Sequence, residues 1–341
     1  MWFVMRRPRV LLTAPIHDEG IKKLGNVAEV VIAPKPLRKE DEVINAIRDF
    51  DAVVSMGAEP FTRRVLESSE RLLVVARHGV GYDNIDVDAA TRLGIWVTTT
   101  PVEELFDAVA DHAIALLLCL ARRVCEADNF VRSGKWFESP FENRFLVGFG
   151  LKGKTLGIVG LGRIGSRIAE RARGFGLKVV YYDIERKTEY ENRLGIEYAQ
   201  LDELLKISDF IVLAVPLTDR TRGLIGEREF SLMKPNAILV NISRGAVVDH
   251  KALVKALKNG RIAGAALDVF YAEPLPPDDE ITKLGNTILT PHIAWLTEEC
   301  RKAMAIAVAE NVISVLRGEE PPNAINPDVK NFARNKRSRT T

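Results

Sequence analysis

The chain has 341 residues, 47% of them hydrophobic and 28% charged, with a formal net charge of +2. This length allows two domains with a sizeable core, and the balanced charge argues against a nucleic-acid-binding body. No stretch reaches the ~20 uncharged apolar residues of a membrane-spanning helix. The apolar run before Arg6 is too short for a signal peptide, so we expect a cytoplasmic protein that starts at Met1 or Met5.

Residues 9–100 alternate between short apolar runs and helix-length segments, a pattern typical of a parallel, doubly wound sheet. The predicted strands are 9–13, 27–32, 51–55, 72–76 and 94–98, with helices such as 39–48 and 61–68 between them.

A long helical pattern at 102–133 comes next, with apolar residues such as Ile114 and Leu117 at helical spacing. This run is too apolar for a fully exposed helix, so we expect it to form the interface of a homodimer. Cys119 and Cys125 lie inside it and are expected to be buried, reduced thiols. Together with Cys300 they form no disulfide framework and no metal-ligand pattern.

The second half of the chain repeats the strand and helix alternation. Its predicted strands are 156–159, 178–182, 210–213, 237–240, 262–269 and 287–290, and an amphipathic helix spans 298–316. No new strand follows that helix, so we expect it to pack back on the first sheet.

The predicted architecture is therefore α/β, with two doubly wound parallel-sheet domains of the Rossmann or flavodoxin type and an active-site cleft between them. Residues 1–101 plus 293–328 would form a discontinuous substrate-binding domain, and residues 102–292 a nucleotide-binding domain. The chain crosses twice, near 101 and 292, which predicts a hinge. Residues 329–341 form a basic tail, which we expect to be disordered and solvated rather than bound to nucleic acid.

The strongest motif is G-x-G-x-x-G at Gly160, Gly162 and Gly165, which follows an apolar run and opens a helical segment at 166–174. The first glycine permits a tight turn, the second a close backbone approach to a pyrophosphate, and the third close packing of helix and strand. The helix N-terminus favours the phosphate charge. Asp183 ends the next strand and is placed to accept the ribose hydroxyls, so NAD is favoured over NADP. Arg186 and Lys187 lie just beyond and would soften that preference.

Four loops that follow predicted strands carry candidate chemistry, because ligands of such sheets bind at the carboxyl ends of the strands. They are 77–86, 241–245, 266–276 and 290–295. Each has an ordinary structural interpretation, such as a surface ion pair for Arg244. Together, Arg244, Glu273 and His292 supply an anion anchor, an orienting carboxylate and a proton carrier.

Four segments resemble those of the D-isomer-specific 2-hydroxyacid dehydrogenases, and the resemblance covers roughly residues 9–328. The segments are GLGRIG at 160–165, NISRGAVVD at 241–249, ALDVF-x-x-EPLP at 266–276 and TPHIAW at 290–295. Residues 107–112 and 130–136 are most similar to the glyoxylate/hydroxypyruvate reductase branch. Ala294-Trp295 stands where many of those reductases carry Gly-Ser, which leaves the 2-oxo acid open.

The resemblance implies that Arg244 holds the substrate carboxylate and carbonyl, that His292 is the acid/base and that Glu273 pairs with it. It implies further substrate contacts from the backbone of Val80 and Gly81 and from Trp295. No metal is implied. The implied cofactor-binding residues are Gly160, Leu161, Gly162, Arg163, Ile164, Gly165, Asp183, Val215, Pro216, Ile242, Ser243, Arg244, Asp268 (against the nicotinamide amide), His292 and Ala294.

The expected activity is reduction of a small 2-oxo acid such as glyoxylate or hydroxypyruvate, with NADH and with NADPH as the weaker alternative. Two related activities stay open, on 3-phosphoglycerate and on phosphite. Formate is disfavoured because the family's formate enzymes carry Gln where this chain has Glu273. An NAD-sensing, corepressor-like protein would keep the same three residues, so turnover is the discriminator. The combination of Arg244, Glu273 and His292 disfavours a binding module without catalysis.

Overall fold

A computed structural model of the protein describes residues 6–138, 141 and 143–332. The strands are β1 (Arg9–Leu12), β2 (Glu29–Ile32), β3 (Ala52–Ser55), β4 (Val74–Arg77), β5 (Trp96–Thr98), β6 (Thr155–Val159), β7 (Lys178–Tyr182), β8 (Glu197–Tyr198), β9 (Phe210–Leu213), β10 (Ile238–Asn241), β11 (Gly264–Leu267) and β12 (Thr287–Leu289). The helices are α1 (Asp18–Gly25), α2 (Glu40–Ile47), α3 (Arg63–Glu67), α4 (Val87–Leu93), α5 (Glu103–Ala121), α6 (Val124–Arg132), α7 (Lys135–Glu138), α8 (Arg163–Gly174), α9 (Thr188–Leu194), α10 (Leu201–Ile207), α11 (Glu227–Leu232), α12 (His250–Lys258) and α13 (Glu298–Leu316).

The described chain divides into two compact units. One comprises the described residues up to Leu105 and from Leu296 onward, and the other is Phe106–Trp295. The basic tail predicted at 329–341 lies outside the described residues from 333 onward.

The first unit contains a parallel five-stranded sheet in the order β2-β1-β3-β4-β5, the flavodoxin-like arrangement. Apolar side chains of α2, α3 and α4 bury one face of it. The other face is covered by α1 and α13. Three residues of α13, Ala305, Val308 and Val312, pack with Val10 and Val54 of the sheet. The last helix therefore packs on the first sheet, as its position after the last strand suggests.

The second unit contains a parallel seven-stranded sheet in the order β12-β11-β10-β9-β6-β7-β8. The strand order reverses between β6 and β9, which is the Rossmann arrangement and creates a switch point at the carboxyl ends of these two strands. The central strands β9, β10 and β11 are buried throughout, in keeping with their continuous apolar sequences. The predicted α/β class with two doubly wound parallel sheets is confirmed.

The helical run predicted at 102–133 is interrupted. Helix α5 ends at Ala121, and Arg123 adopts a left-handed conformation (φ 54°) before α6 begins. The apolar side chains of α5, among them Phe106, Leu117 and Leu120, are already buried in the chain. The apolarity of this helix therefore reflects the core and does not by itself require a partner. The prediction of buried thiols is wrong for Cys125, which is exposed, while Cys119 is half-buried.

The two-residue edge strand β8 was not predicted, and the remaining differences between predicted and observed strands concern their bounds. The predicted strand 262–269 is limited to Gly264–Leu267, whereas α13 and β9 have the predicted bounds. None of the helices in the described ranges is long and apolar enough to cross a membrane. The same ranges contain no cluster of His, Cys, Asp and Glu suited to a metal ion.

Candidate active site

The glycine turn joins β6 to α8, and each glycine meets a different constraint. Gly160 has a φ of 98°, and a Cβ there would lie 2.6 Å from the Ala214 carbonyl oxygen. A Cβ on Gly165 would lie 2.1 Å from the Gly160 carbonyl oxygen, so only glycine lets α8 approach the strand this closely. Around Gly162, by contrast, nothing lies within 4 Å of such a Cβ. The open space is therefore at the position where a phosphate group needs it.

Asp183 follows β7 directly, and its side chain is fixed to the glycine turn. Its Oδ2 accepts a hydrogen bond from the Leu161 N–H at 2.8 Å. The other turn residues, Arg163 and Ile164, begin α8 at its N-terminus. Arg163 stacks over the Phe106 ring at 5.3 Å, which ties this end of α8 to α5. Val215 and Pro216 follow β9, across the switch point, and the Val215 side chain borders Gly160.

Arg244 lies on a loop that a buried amide holds together. Asn241, 1% exposed at the end of β10, donates from Nδ2 to the Arg244 carbonyl oxygen at 3.0 Å. Its Oδ1 accepts from the Ser243 N–H and hydroxyl at 3.0 and 2.8 Å. A Cβ on the next residue, Gly245, would lie 1.9 Å from the Phe270 carbonyl carbon, so this loop packs directly on the loop that carries Glu273.

Glu273 and His292 form a hydrogen-bonded pair. His292 Nδ1 lies 2.7 Å from Glu273 Oε2, and Glu273 Oε1 accepts from the Phe270 N–H at 3.0 Å. Burial opposes ionisation of Glu273, but the hydrogen bond with His292 and the charges of His292 and Arg244 prevail and lower the pKa of the carboxyl. The ionised carboxylate therefore faces Nδ1, which leaves Nε2 as the imidazole nitrogen available to a substrate.

A fully buried carboxylate builds the turn that presents His292. Asp268, 0% exposed, accepts from the Thr290 hydroxyl at 2.6 Å and from the N–H groups of Ile293 and Ala294 at 2.9 Å each. Its burial opposes ionisation, but these hydrogen bonds and that from His112 prevail and lower its pKa. His292 itself has a φ of 56°, an unfavourable conformation for a non-glycine residue that these contacts maintain.

His112 is a site residue that the sequence interpretation missed. From α5, its Nε2 lies 3.2 Å from Thr290 Oγ1 and 3.5 Å from Asp268 Oδ1. The only sequence feature that could have indicated His112 is its position at the end of the segment 107–112, which resembles the glyoxylate/hydroxypyruvate reductase branch. Asp268 was expected at the nicotinamide amide, and here both of its oxygens serve the 290–294 turn. A cofactor contact by Asp268 stays a prediction, as do those of Ile242, Ser243 and Ala294, all three buried.

The structure gathers Arg244, Asp268, Glu273 and His292 within the second unit, at the carboxyl edge of the same sheet as the glycine turn. Trp295 is the last residue of that unit. Val80 and Gly81 belong to the first unit, in a loop after β4 where Arg77 Nε donates to the Gly81 carbonyl at 3.0 Å. Their binding of a substrate carboxylate stays a prediction.

The second unit has the features that a nicotinamide dinucleotide requires. Its turn combines space at Gly162, the N-terminus of α8 and an acid at the end of the next strand. Such a helix terminus attracts pyrophosphate, and such an acid accepts ribose hydroxyls. These features fit a nicotinamide dinucleotide, and contact of its reactive end with the loops after β10, β11 and β12 stays a prediction.

Comparison with known proteins agrees with this geometry. Residues 114–294 match the family model of the D-isomer specific 2-hydroxyacid dehydrogenase NAD binding domain. The chain is 50% identical over 326 residues to a glyoxylate reductase of Thermococcus litoralis, covering 95% of this chain and 98% of that protein. It is 49% identical over 326 residues to a glyoxylate reductase of Pyrococcus furiosus, covering 95% of this chain and 96% of that protein.

A similar solved structure is the NADPH-dependent glyoxylate/hydroxypyruvate reductase from Sinorhizobium meliloti in complex with NADP and malonate. It shares 33% identity with a TM-score of 0.83, over 95% of this chain and 98% of that one. The chain belongs to the D-isomer-specific 2-hydroxyacid dehydrogenase family and is an oxidoreductase acting on the CH–OH group. Within that family its relatives at about half identity include the two glyoxylate reductases named above.

Proposed function

We propose that the protein reduces glyoxylate, and hydroxypyruvate as a second substrate, to the corresponding 2-hydroxy acid with NADH as the preferred cofactor. The observation that carries this proposal is the Glu273–His292 pair at 2.7 Å, on the same sheet edge as the dinucleotide turn and with Arg244 close enough for its charge to act on Glu273. The glyoxylate reductase relatives support the choice of substrate.

In the proposed reaction, the bound reduced nicotinamide supplies a hydride to the carbonyl carbon. His292 donates the proton from Nε2 to the carbonyl oxygen, and its Nδ1–H stays hydrogen-bonded to Glu273. The neutral imidazole left behind takes up a proton from solvent before the next cycle. General acid catalysis of this kind contributes ~10²–10⁴-fold to the rate.

Arg244 binds the substrate in this proposal. Its guanidinium carries a permanent charge and a planar fork of donors, which suits a carboxylate and an adjacent carbonyl oxygen. Asn241 and Gly245 fix the backbone around Arg244, and its Nη1 donates to the Ser243 carbonyl oxygen at 2.8 Å, so the guanidinium starts from a defined position. Substrate binding then costs less conformational freedom than from a mobile loop.

The preference for NADH is proposed from Asp183. Its carboxylate is held at the glycine turn by the Leu161 N–H, and a 2′-phosphate on the ribose would place negative charge beside it. An Asp183→Ser variant should therefore gain activity with NADPH relative to NADH. A wild-type enzyme that already prefers NADPH several-fold would contradict this assignment.

We also propose that the protein is a homodimer, through a surface that lies partly beyond the predicted run 102–133. Large apolar side chains are exposed from α6 onward: Val124, Val131, Trp136, Phe137, Phe141, Phe145 and Val147. Phe137 is 94% and Phe141 91% exposed, and a concentration of exposed apolar side chains in one segment favours an interface. Light scattering should give twice the chain mass at micromolar concentration, and Phe137→Asp should shift it toward the monomer.

The direct test of the function is a panel assay. NADH and NADPH are each offered with glyoxylate, hydroxypyruvate, pyruvate and 3-phosphohydroxypyruvate, and oxidation of the cofactor is followed by its absorbance over a range of substrate concentrations. The expected result is the highest kcat/KM for glyoxylate with NADH. A higher value for 3-phosphohydroxypyruvate would reassign the substrate, and no turnover with any of them would overturn the proposal.

A further inference from the structure

The loop that follows Asp183 carries a cation that a carboxylate holds in place. Arg186 donates from Nε to Glu191 Oε1 and from Nη2 to Glu191 Oε2, both at 2.8 Å. This is a bidentate pair, in which two parallel hydrogen bonds fix the orientation of the guanidinium as well as its distance. The same guanidinium lies over the Tyr198 ring, 5.9 Å from its centre.

Glu191 is itself well held. Its side chain is 14% exposed, whereas that of Arg186 is 62% exposed. Tyr181, buried at the end region of β7, donates its hydroxyl to Glu191 Oε1 at 2.8 Å. Hydrogen bonds from Arg186 and Tyr181 lower the pKa of Glu191 to about 2, and burial raises the pKa of Tyr181 to about 12. Acceptor and donor therefore keep these protonation states throughout the neutral range.

The neighbouring cation is restrained differently. Lys187 Nζ lies 2.8 Å from Glu185 Oε2, but the Glu185 side chain is 75% exposed. A pair of this kind is screened by solvent and exchanges readily with other partners. Only the Arg186 pair combines bidentate geometry with a largely buried carboxylate.

We propose that Glu191 is a specificity-determining residue for the cofactor, acting by holding the Arg186 guanidinium away from the adenosine ribose. A cation three residues beyond the ribose-binding acid is the group that a 2′-phosphate needs as a partner. With Arg186 engaged on Glu191, the loop meets a 2′-phosphate with Asp183 and without its bidentate cation, and Lys187 is left as the exchangeable one. The two carboxylates thus act together: Asp183 repels the phosphate, and Glu191 withholds its counter-charge.

This inference rests on the dinucleotide site of the proposed function, and binding measurements test it apart from turnover. Dissociation constants for NADPH and NADH are measured by nicotinamide fluorescence titration. The variants are Glu191→Gln, Asp183→Ser and the double variant, each compared with wild type. Glutamine keeps the size of the side chain and an acceptor for Tyr181 but removes the charge that holds Arg186.

The chain offers a matched control. Arg193 lies on α9, the helix that also carries Glu191, and it forms an ion pair with Glu170 at 3.0 Å. Glu170→Gln removes an equal charge and releases a guanidinium that lies farther along the helix from Asp183. The comparison separates release of Arg186 from a general gain of positive charge.

The expected result is that Glu191→Gln strengthens NADPH binding roughly tenfold in the Asp183→Ser background, the size of one charge-assisted hydrogen bond. The dissociation constant for NADH should change less than about twofold, because NADH has no 2′-phosphate for Arg186 to contact. Adding Arg186→Ala should remove the gain, and Glu170→Gln should not produce it. Unchanged NADPH binding in both backgrounds, a gain that survives without Arg186, or an equal gain in the control would each overturn the inference. If no 2-oxo acid is reduced, the proposed function fails while these binding results still decide the role of Glu191.

Discussion

The Glu273–His292 pair allows a quantitative prediction for Glu273→Gln. The two side chains are 31% and 37% exposed. The dielectric constant of bulk water sets the lower limit of their attraction, about 1.5 kcal/mol for opposite charges 2.7 Å apart. Glutamine removes that attraction to the protonated imidazole. Glu273 also accepts two hydrogen bonds, from Nδ1 and from the Phe270 N–H. An amide has one oxygen for these two donors, and its NH₂ group favours an imidazole that accepts at Nδ1.

Both effects disfavour the proton donor that reduction requires. Since 1.36 kcal/mol corresponds to one pH unit, the alkaline limb of kcat/KM for glyoxylate reduction should move down by about one unit. Oxidation requires the neutral imidazole, so its acid limb should move down as well. The matched control is Glu280→Gln, which removes a carboxylate paired with Lys258 and should leave both limbs in place. A Glu273→Gln profile that coincides with wild type would refute the pairing as a catalytic device.

Three further predictions follow from the site and the fold. His292→Ala should lower kcat by at least ~10²-fold because no proton is delivered, while Arg244→Ala should lower kcat/KM by an amount corresponding to ~2–5 kcal/mol, and steady-state kinetics distinguish the two patterns. Gly165→Ala should destabilise the protein by ~1–3 kcal/mol in urea unfolding because its Cβ would lie 2.1 Å from the Gly160 carbonyl oxygen, whereas Gly174→Ala, with nothing within 4 Å, should be neutral or slightly stabilising. Asp268 has a lowered pKa in the folded state. Its contribution to the free energy of unfolding is therefore fully present above the pKa of the unfolded carboxyl, and it is lost as the pH falls through the pKa of the folded state. Asp268→Asn should remove that part of the acid dependence, and an equally steep loss of stability in the variant would contradict the assignment.

The motifs that could be identified from the sequence are those whose chemistry is local. The glycine turn is set by steric limits within a few residues, so Gly160, Gly162 and Gly165 could each be given a separate role. The structure shows the steric limits at Gly160 and Gly165, and the approach of a pyrophosphate to Gly162 stays a prediction. The strands other than β8 were predicted because buried parallel strands are continuous apolar runs, whereas β8 is a two-residue edge strand with an exposed glutamate. Their ends were less certain, since pairing with a neighbouring strand sets them.

What could not be predicted depends on contacts between distant residues. Asp268 holds the N–H groups of Ile293 and Ala294, 25 and 26 residues away, and His112 joins the same cluster from a helix more than 150 residues earlier. A carboxylate after a strand has no local feature that reveals such partners. The break at Arg123 is similar, because a left-handed arginine within a helical pattern leaves no mark in the periodicity.

The packing of α13 on the first sheet has a consequence for synthesis on the ribosome. Strands β1 to β5 are complete at Thr98, but one face of their sheet waits for Ala305, Val308 and Val312. At ~5–20 residues per second, the roughly 200 intervening residues take about 10–40 s to emerge. The unit Phe106–Trp295 is contiguous and has all of its own strands before α13 exists. The first unit therefore exposes Val10, Val54 and their neighbours for the whole time in which the second unit is made, and this is the interval in which a chaperone would act on it.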